Sequence, residues 1–458
     1  MRMELRDKNV LVVGLGRTGE AVADFLLRRG ARVTVSEKRP AAELGPAVAA
    51  LAARGARIEA GGHRRASFLA ADLIVPSPGV PLLPDYAAAR DAGIPILSEI
   101  EIAYRFLKGR IVGITGTNGK STTTTLIHRI LRAAGRKAVL AGNIGPPLIS
   151  FVDASRDDHV YVTEISSFQL EFVDRFKAGI ALFLNVSQNH LDWHPSFDAY
   201  FGSKAKLVLA QGAGDRAVLN RDDARVWALA GSAASEVFGF SRRRALARGC
   251  YVRDGRVVVR EGSGPARPVI RTGEILLPGS HNLENVLAAT MAGALCGAAP
   301  AEMRAAIRTF TGLEHRLEPV LTHRGVRFVN DSKATTVDAA VKAIQSFDRP
   351  IVLILGGKDK GSDFTLLRRI VKARVRQVVL VGAAKDKIRA ALDGAVPMSE
   401  AREFREVVPL AFAAAKRGDV VLLAPACTSW DMFANFEERG RTFKRGVRAL
   451  ARRAERTR

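Results

Sequence analysis

The sequence predicts an α/β protein built of three consecutive domains, and three observations carry that expectation. The chain is 458 residues long, about three times a common domain size of roughly 150 residues. Short β-branched runs alternate with segments of helical periodicity along its whole length, the pattern of repeated βαβ units. Two glycine-rich loops, starting at Gly14 and Gly116, each follow such a run and open a helix. With 47% hydrophobic and 25% charged residues the chain has enough apolar side chain for sizeable cores, which excludes disordered and fibrous classes.

Residues 1–98 form the first expected domain. A strand over Asn9 to Val13 leads into Gly14-Leu-Gly16-Arg-Thr-Gly19, then a helix to about Arg29, Gly30, and a strand from Arg32 to Ser36. This is a Rossmann-like start: the glycines permit a tight turn and let a phosphate approach the helix N-terminus. Glu37 stands near where dinucleotide folds place a ribose-binding acid. The spacing alone does not separate a nicotinamide cofactor from another nucleotide diphosphate, or either from a plain tight turn. Pro76-Ser-Pro-Gly79 makes a second glycine turn after the strand Leu73 to Val75.

Residues 99–312 form the second, a P-loop-type ATPase domain. An amphipathic stretch from Glu99 precedes a strand, Ile111 to Thr115, and then Gly116-Thr-Asn-Gly-Lys-Ser121. Strict spacing would place glycine where Ile114 stands, so the loop is a variant. Its chemistry is intact: N–H groups of Gly116, Thr117, Asn118, Gly119 and Thr122 sit where they cradle phosphates, Lys120 neutralises them, and the Ser121 hydroxyl suits magnesium. The following helix has Leu126, Ile127, Ile130 and Leu131 on its inner face and stops at Gly135. Strands His159 to Thr163 and Ile180 to Val186 end before Glu164 and His190, placing an acid and a histidine beside the loop. Asn189-His-Leu-Asp-Trp-His194 has a zinc-like spacing but no third cluster to complete it. Ser241 to Arg271, rich in Gly and Arg, reads as a surface β-excursion. Leu287 to Ala301 reads as a buried helix, too short to span a membrane.

Residues 313–458 form the third, again Rossmann-like. Strands Val326 to Val329, Ile351 to Leu355 and Val420 to Leu423 precede Asn330-Asp331-Ser332-Lys333, Gly356-Gly-Lys-Asp-Lys360 and Ala426-Cys-Thr-Ser-Trp430. Thr336 to Ile344 and Phe404 to Ala415 read as helices. Carboxyl ends of strands line the crevice of open α/β sheets, so these polar segments are placed for ligands. From Arg439 to the end, Phe443, Val447, Leu450 and Ala454 recur at helical spacing, giving a docked last helix with a solvated basic face.

A formal charge of +24 invites nucleic acid, anionic lipid or polyanionic substrates. The basic residues are scattered and mainly Arg, so no nucleic-acid partner is expected. Three dispersed cysteines, a start without a signal-peptide core and no spanning segment fit a cytoplasmic enzyme.

The motifs GTNGKST at Gly116, GNIGPPL at Gly142, TEISSFQLE at Thr163, NVSQNHLDWH at Asn185 and AYFGSKAK at Ala199 occur in order. GSHNLEN at Gly279, EHRLE at Glu314, NDSKATT at Asn330, GGKDKG at Gly356 and ACTSWDMFANFEERG at Ala426 follow. Over essentially its full length the chain resembles the Mur ligases of peptidoglycan synthesis, most closely the branch that adds D-glutamate to UDP-N-acetylmuramoyl-L-alanine. The resemblance implies ATP-dependent amide formation through an acyl phosphate, by a cytoplasmic monomer whose product serves the cell wall, cell shape and division.

Carried over residue by residue, it puts Lys120, Glu164, His190, Lys204 and Arg316 in catalysis. Two magnesium ions fall to Ser121, Glu164, His190 and Lys204, the last as a carbamate. ATP falls to the loop with Asn282, Arg316 and Asp331. The UDP-sugar falls to Gly14, Arg17, Thr18, Glu37, Lys38, Ser77, Pro78, Gly79, Asn143, Gln169 and His190, and D-glutamate to Lys333, Thr335, Lys360, Ser429 and Phe436. Trp193 departs from the Arg that many relatives carry there. The alternatives are a sister ligase for L-alanine, a diamino acid or a dipeptide, a folylpolyglutamate synthetase, a nucleic-acid-binding protein and an NAD-linked oxidoreductase.

Overall fold

Apolar residues occupy both faces of the central strands, so each sheet must be covered by helices on two sides. The computed structural model, which describes residues 3–190, 193–277, 279–359 and 361–456, has this arrangement. It falls into two units, Met1–Phe310 and Thr311–Arg458.

The first unit holds two sheets. Strands β1 (Asn9–Val13), β2 (Arg32–Glu37), β3 (Arg57–Ala60) and β4 (Leu73–Pro76) pair in parallel in the order β3-β2-β1-β4. Along β1, Val10 and Val12 pack into one core with Phe25 and Leu26, while Leu11 and Val13 pack on the other face with Phe68 and Tyr86. Helix Arg17–Arg28 lies so close to the first turn that a Cβ on Gly19 would meet the Gly14 carbonyl at 2.1 Å, which makes glycine obligatory.

The second sheet is formed by β5 (Arg110–Thr115), β6 (Lys137–Gly142), β7 (His159–Glu164), β8 (Ile180–Phe183), β9 (Arg216–Asn220), β10 (Glu236–Ser241), β11 (Gly249–Arg253), β12 (Arg256–Arg260) and β13 (Arg267–Arg271). Their order is β13-β12-β11-β10-β9-β8-β5-β7-β6. The chain runs from β5 outward on one side and returns on the other through β8, so β5 marks the topological switch. Two expectations need correction. The segment after Ser241 is not a surface excursion: β11 pairs in parallel with β10 and extends the main sheet, burying Cys250, Tyr251 and Val257 to Val259. The helix expected over Leu287 to Ala301 is two, Ser280–Leu295 and Pro300–Arg308, broken where Gly297 turns at φ +81° and Pro300 starts the next.

The second unit carries β14 (Glu318–His323), β15 (Val326–Asn330), β16 (Ile351–Gly356), β17 (Val375–Val381), β18 (Met398–Glu400) and β19 (Val420–Leu423), in the order β14-β15-β19-β16-β17-β18. Only the β14–β15 pair among these is antiparallel. Leu353 and Leu355 face one core, Val352 and Ile354 the other. The last helix, Phe436–Arg456, buries Phe443 and Val447 in the latter core and exposes Arg441, Arg445 and Arg448. Among the described residues no helix is long and apolar enough to cross a membrane.

Candidate functional site

The glycine-rich loop after β5 is fixed from beneath by the continuation of β8. That strand was expected to reach Val186 but ends at Phe183, because the next residues leave the ladder to hold the loop. The N–H of Leu184 donates to the Thr115 carbonyl (3.0 Å) and that of Thr117 to the Asn185 carbonyl (2.9 Å). Asn185 Oδ1 accepts from the Asn118 N–H (2.9 Å), and its Nδ2 donates to the Asn118 carbonyl (3.2 Å). The Thr117 hydroxyl donates to Ser187 O (3.2 Å), accepts from Ser187 N–H (3.0 Å) and lies 3.2 Å from the Tyr200 hydroxyl. Gly119 caps helix Lys120–Ala133 in the left-handed region, φ +81°. Lys120 Nζ donates to the carbonyls of Gly116 and Thr117, both at 3.0 Å, so its ammonium folds over its own loop. Ser121 and Thr122 are buried in the first helical turn.

Glu164 ends β7, beside the loop strand β5. It is 2% exposed, and one carboxylate oxygen accepts from Asn143 Nδ2 at 2.8 Å. The other, Oε2, is buried without a hydrogen-bond partner among the described residues. Lys204, on helix Phe197–Leu209, is also 2% exposed; its Nζ reaches Thr115 Oγ1 only at 3.5 Å and lies 4.8 Å from the Tyr200 ring centroid. Burial, and after it the charge of Lys120, holds this amine well below the ordinary lysine range against the opposing pull of Glu164. The buried Lys204 amine, the buried Glu164 carboxylate and the Lys120 ammonium therefore share one locality.

His190 is exposed, with φ +54°, and its ring lies 4.9 Å from Phe168 and 6.2 Å from Tyr200. His194 is not offered to a ligand: its Nε2 is 3.0 Å from Ser167 Oγ. The Gln169 Oε1 accepts the Ser166 N–H (3.0 Å) in a capping box, so half of that amide is spent on its own helix. Gln169, Ser77, Pro78 and Trp193 line a small cavity. The Trp193 indole N–H donates to the Val80 carbonyl at 3.2 Å, tying this segment to the turn that carries Ser77, Pro78 and Gly79.

At the first sheet, Gly14 turns at φ +88° and its carbonyl accepts from Ser77 Oγ (2.8 Å). Arg17 Nη2 donates to the Gly145 carbonyl at 2.6 Å, near Asn143. Thr18 is half-buried and Lys38 exposed. The Glu37 carboxylate is fully engaged, accepting from the N–H groups of Leu15 (2.7 Å) and Arg39 (3.0 Å) and from the Arg39 guanidinium. Burial works against its ionisation, yet these bonds outweigh burial and bring it down to about 2.

In the second unit the polar segments after β15, β16 and β19 do converge. Lys358 and Thr428 exchange backbone hydrogen bonds (3.0 and 3.1 Å). Lys333 Nζ lies 5.9 Å from the Phe436 ring centroid, Thr335 N–H donates to Lys333 O (2.8 Å), and Ser429 is 1% exposed. Lys360 lies outside the described residues. Arg316 is exposed on a turn whose neighbours His315 and Leu317 have φ +66° and +42°. Asp331 Oδ1 accepts the Leu317 N–H (3.2 Å), and burial pushes Asp331 up to about 6 despite Arg316 and Lys333. In the first unit, Asn282 Oδ1 accepts from Asn285 Nδ2 at 3.2 Å.

Sequence reasoning missed Asn185, Asn285 and Arg439. Asn185 and Asn285 stand inside the quoted motifs NVSQNHLDWH and GSHNLEN, and a polar amide beside a glycine loop is the signal that marks them. Arg439 is buried completely under the segments after β15 and β19; it stands in the motif ACTSWDMFANFEERG, and that membership is the signal that separates it from the exposed arginines that follow.

Models of the Mur ligase MurD-like N-terminal domain, the Mur ligase middle domain and the Mur ligase glutamate ligase domain match residues 8–98, 114–293 and 315–427. A UDP-N-acetylmuramoylalanine--D-glutamate ligase of Acidobacterium capsulatum is 50% identical over 444 residues, 96% of each chain. Its namesake from Koribacter versatilis is 45% identical over 450 residues, 98% of this chain and 99% of that one. Among solved structures, the UDP-N-acetylmuramate-alanine ligase MurC of Thermotoga maritima superposes with a TM-score of 0.55 at 18% identity, covering 97% of this chain and all, 100%, of the other. MurF ligase of the same organism, in complex with ADP, gives 0.53 at 15%, covering 98% and 97%; these two establish the fold. Three successive segments matched by models of one family, and relatives of that family alike from end to end, establish that the chain belongs to the Mur ligases, in their MurD-like branch.

Proposed function

We propose that this chain joins D-glutamate to UDP-N-acetylmuramoyl-L-alanine at the expense of ATP, a step of peptidoglycan synthesis. The observation that carries the reading is near-full-length identity of 50% and 45% to two proteins named for that reaction. The geometry described above supports it. In the proposed reaction a carboxylate oxygen of the alanyl group attacks the γ-phosphorus and ADP leaves. The amine of D-glutamate then attacks the acyl carbon, phosphate leaves and the nitrogen loses a proton.

We assign residues 1–98 to the UDP-sugar, 99–312 to ATP and 313–458 to D-glutamate, in a cytoplasmic monomer. We assign ATP to loop residues 116–122, Asn282, Arg316 and Asp331. Lys120 exchanges its two carbonyl partners for phosphate oxygens, and Arg316 offsets charge on the transferring phosphoryl group. Gly14, Arg17, Thr18, Lys38, Ser77, Pro78, Gly79, Asn143, Gln169 and His190 receive the UDP-sugar. Glu37 acts there by shaping the loop through Leu15 and Arg39, since its oxygens are already engaged. Lys333, Thr335, Lys360, Ser429 and Phe436 receive D-glutamate.

The residues fit magnesium: a buried carboxylate oxygen of Glu164 without a partner and a buried Ser121 hydroxyl are hard oxygen donors beside a phosphate loop. Glu164 and Ser121 would hold one ion, His190 and Lys204 a second. Bound magnesium supplies positive charge against the phosphate oxygens. Lys204 suits that role as a carbamate. Its neutral amine is the form that adds to carbon dioxide: an N–C bond forms, the nitrogen loses a proton to solvent, and an anionic pair of oxygens results.

Phosphate release that requires ATP, UDP-N-acetylmuramoyl-L-alanine and D-glutamate together tests the reading. Lys120→Ala should lower it on the order of 10²-fold with the fold intact, since the lost ammonium acts on developing charge and fills little core. Near-normal turnover by that variant would refute the loop assignment.

A further inference from the structure

Arg439 is the largest fully buried side chain among the described residues, with 0% exposure. The four hydrogen bonds of its fork all go to neutral oxygens. Nε donates to Ser332 Oγ (3.0 Å), Nη2 to the Ser332 carbonyl (2.9 Å), and Nη1 to the carbonyls of Cys427 (3.1 Å) and Thr428 (3.2 Å). The Ser332 hydroxyl donates in turn to the Phe436 carbonyl (2.8 Å). Gly357 runs against the same group; a Cβ there would sit 3.1 Å from Nη1. The guanidinium therefore stands where the segments after β15, β16 and β19 meet.

These are the segments that carry Lys333, Thr335, Ser429 and Phe436. Each of Lys333 and Ser429 is the immediate neighbour of an Arg439 partner, and Phe436 starts the helix on which Arg439 lies. No carboxylate of the described residues forms an ion pair with Arg439. Burial brings the guanidinium down to about 10, which leaves it charged at neutral pH. The Asp431 carboxylate opposes that shift from a distance without pairing, so the buried cation is hydrogen-bonded by dipoles and bears much of its desolvation cost without a direct counter-charge.

We propose that Arg439 is a positioning residue for the amine substrate: it locks the segments after β15 and β19 in register and sets a fixed, water-shielded positive charge beneath them that selects an amino acid with a second carboxylate. This rests on the D-glutamate reading. Lys333 supplies contact at the solvent side, whereas Arg439 acts through Ser332, Thr428 and the low dielectric around it, where a charge acts over a longer reach than at a surface. Selectivity between a carboxylate and its neutral isostere is the property such a charge governs.

The test compares D-glutamate with D-glutamine, which has the same shape and one negative charge fewer. Phosphate release with ATP and UDP-N-acetylmuramoyl-L-alanine gives kcat/KM for each amine. In Arg439→Met the preference for D-glutamate should fall by roughly tenfold or more while the KM for ATP stays unchanged. Arg439→Lys should keep most of the preference while lowering the melting temperature, because it retains the charge and loses the fork.

Equal losses for both amines in Arg439→Met would overturn the proposal and leave only a structural role. If that variant does not fold, the unaltered enzyme decides. A buried charge predicts a preference that changes by no more than about twofold from about 0.05 to about 1 M salt, where exposed charges are screened. Collapse of the preference with salt would overturn the proposal. An unaltered enzyme that prefers another amine to D-glutamate would instead refute the reading on which it rests.

Discussion

Gly119→Ala should disable the phosphate loop through one identifiable collision. A Cβ at that position would lie 2.1 Å from Asn285 Oδ1, where ordinary contact begins near 3.4 Å. Since 3.4 − 2.1 = 1.3, the amide or the loop must move by about 1.3 Å, and Asn285 is held by Thr123 (3.4 Å) and Asn282 (3.2 Å). A misplacement of roughly 1 Å in a positioning group costs on the order of 10² in rate. The left-handed backbone, φ +81°, adds on the order of 1 kcal/mol of folding strain for any residue with a Cβ, which lowers stability in every state and so cancels in kcat/KM. The assay is a double-mutant cycle on kcat/KM for ATP with Gly119→Ala, Asn285→Ala and both. Added to Asn285→Ala, the glycine substitution should cost little in kcat/KM. Equal penalties in both backgrounds would show that the collision is not what excludes a side chain at 119.

Stripping carbon dioxide should lower turnover reversibly and Lys204→Ala should be nearly inactive; an intact-mass measurement finding unmodified Lys204 in the fully active enzyme would contradict the carbamate. Trp193→Phe keeps the ring against Phe168 (4.8 Å) but loses the bond to Val80 (3.2 Å). A bond worth about 1 kcal/mol predicts a roughly fivefold rise in KM for the UDP-sugar. An unchanged UDP-sugar KM, or an equal rise for ATP, would contradict that. Asp331 is raised from 3.8 to about 6, so folding penalises its charged form. That penalty is fully present above the folded value and disappears as pH falls through about 6 toward 4. Asp331→Asn should therefore be more stable than the parent near pH 7.5, by on the order of 3 kcal/mol in denaturant unfolding, and no more stable near pH 4. A difference that does not change with pH would refute it.

What the sequence made legible was local. The loop Gly116 to Ser121 declares itself because glycine, lysine and hydroxyl spacing acts within one turn of helix, and β5, β7 and β15 appear as β-branched runs ending in polar residues. The two β-faces of Leu353 and Ile354 were implicit in a wholly apolar run. What escaped depends on partners far along the chain: Asn185 holds Asn118 across 67 residues, Asn285 meets Thr123 across 162, and Arg439 reaches Ser332 across 107. The break at Gly297 was hidden by small residues that suit a helix on either side of it. The strands after Ser241 were read as an excursion because Gly and Arg masked Val257 to Val259. Lys204 was reached only through likeness to relatives; its burial, which explains its chemistry, is a property of the fold.

The measurement that bears most directly on the central claim is phosphate release with ATP, UDP-N-acetylmuramoyl-L-alanine and each of D-glutamate, L-glutamate, L-lysine, meso-diaminopimelate and L-alanine. The account predicts the highest kcat/KM with D-glutamate, and a loss of roughly 10- to 100-fold for amines without a side-chain carboxylate. A higher rate with any other amine in the panel would contradict it.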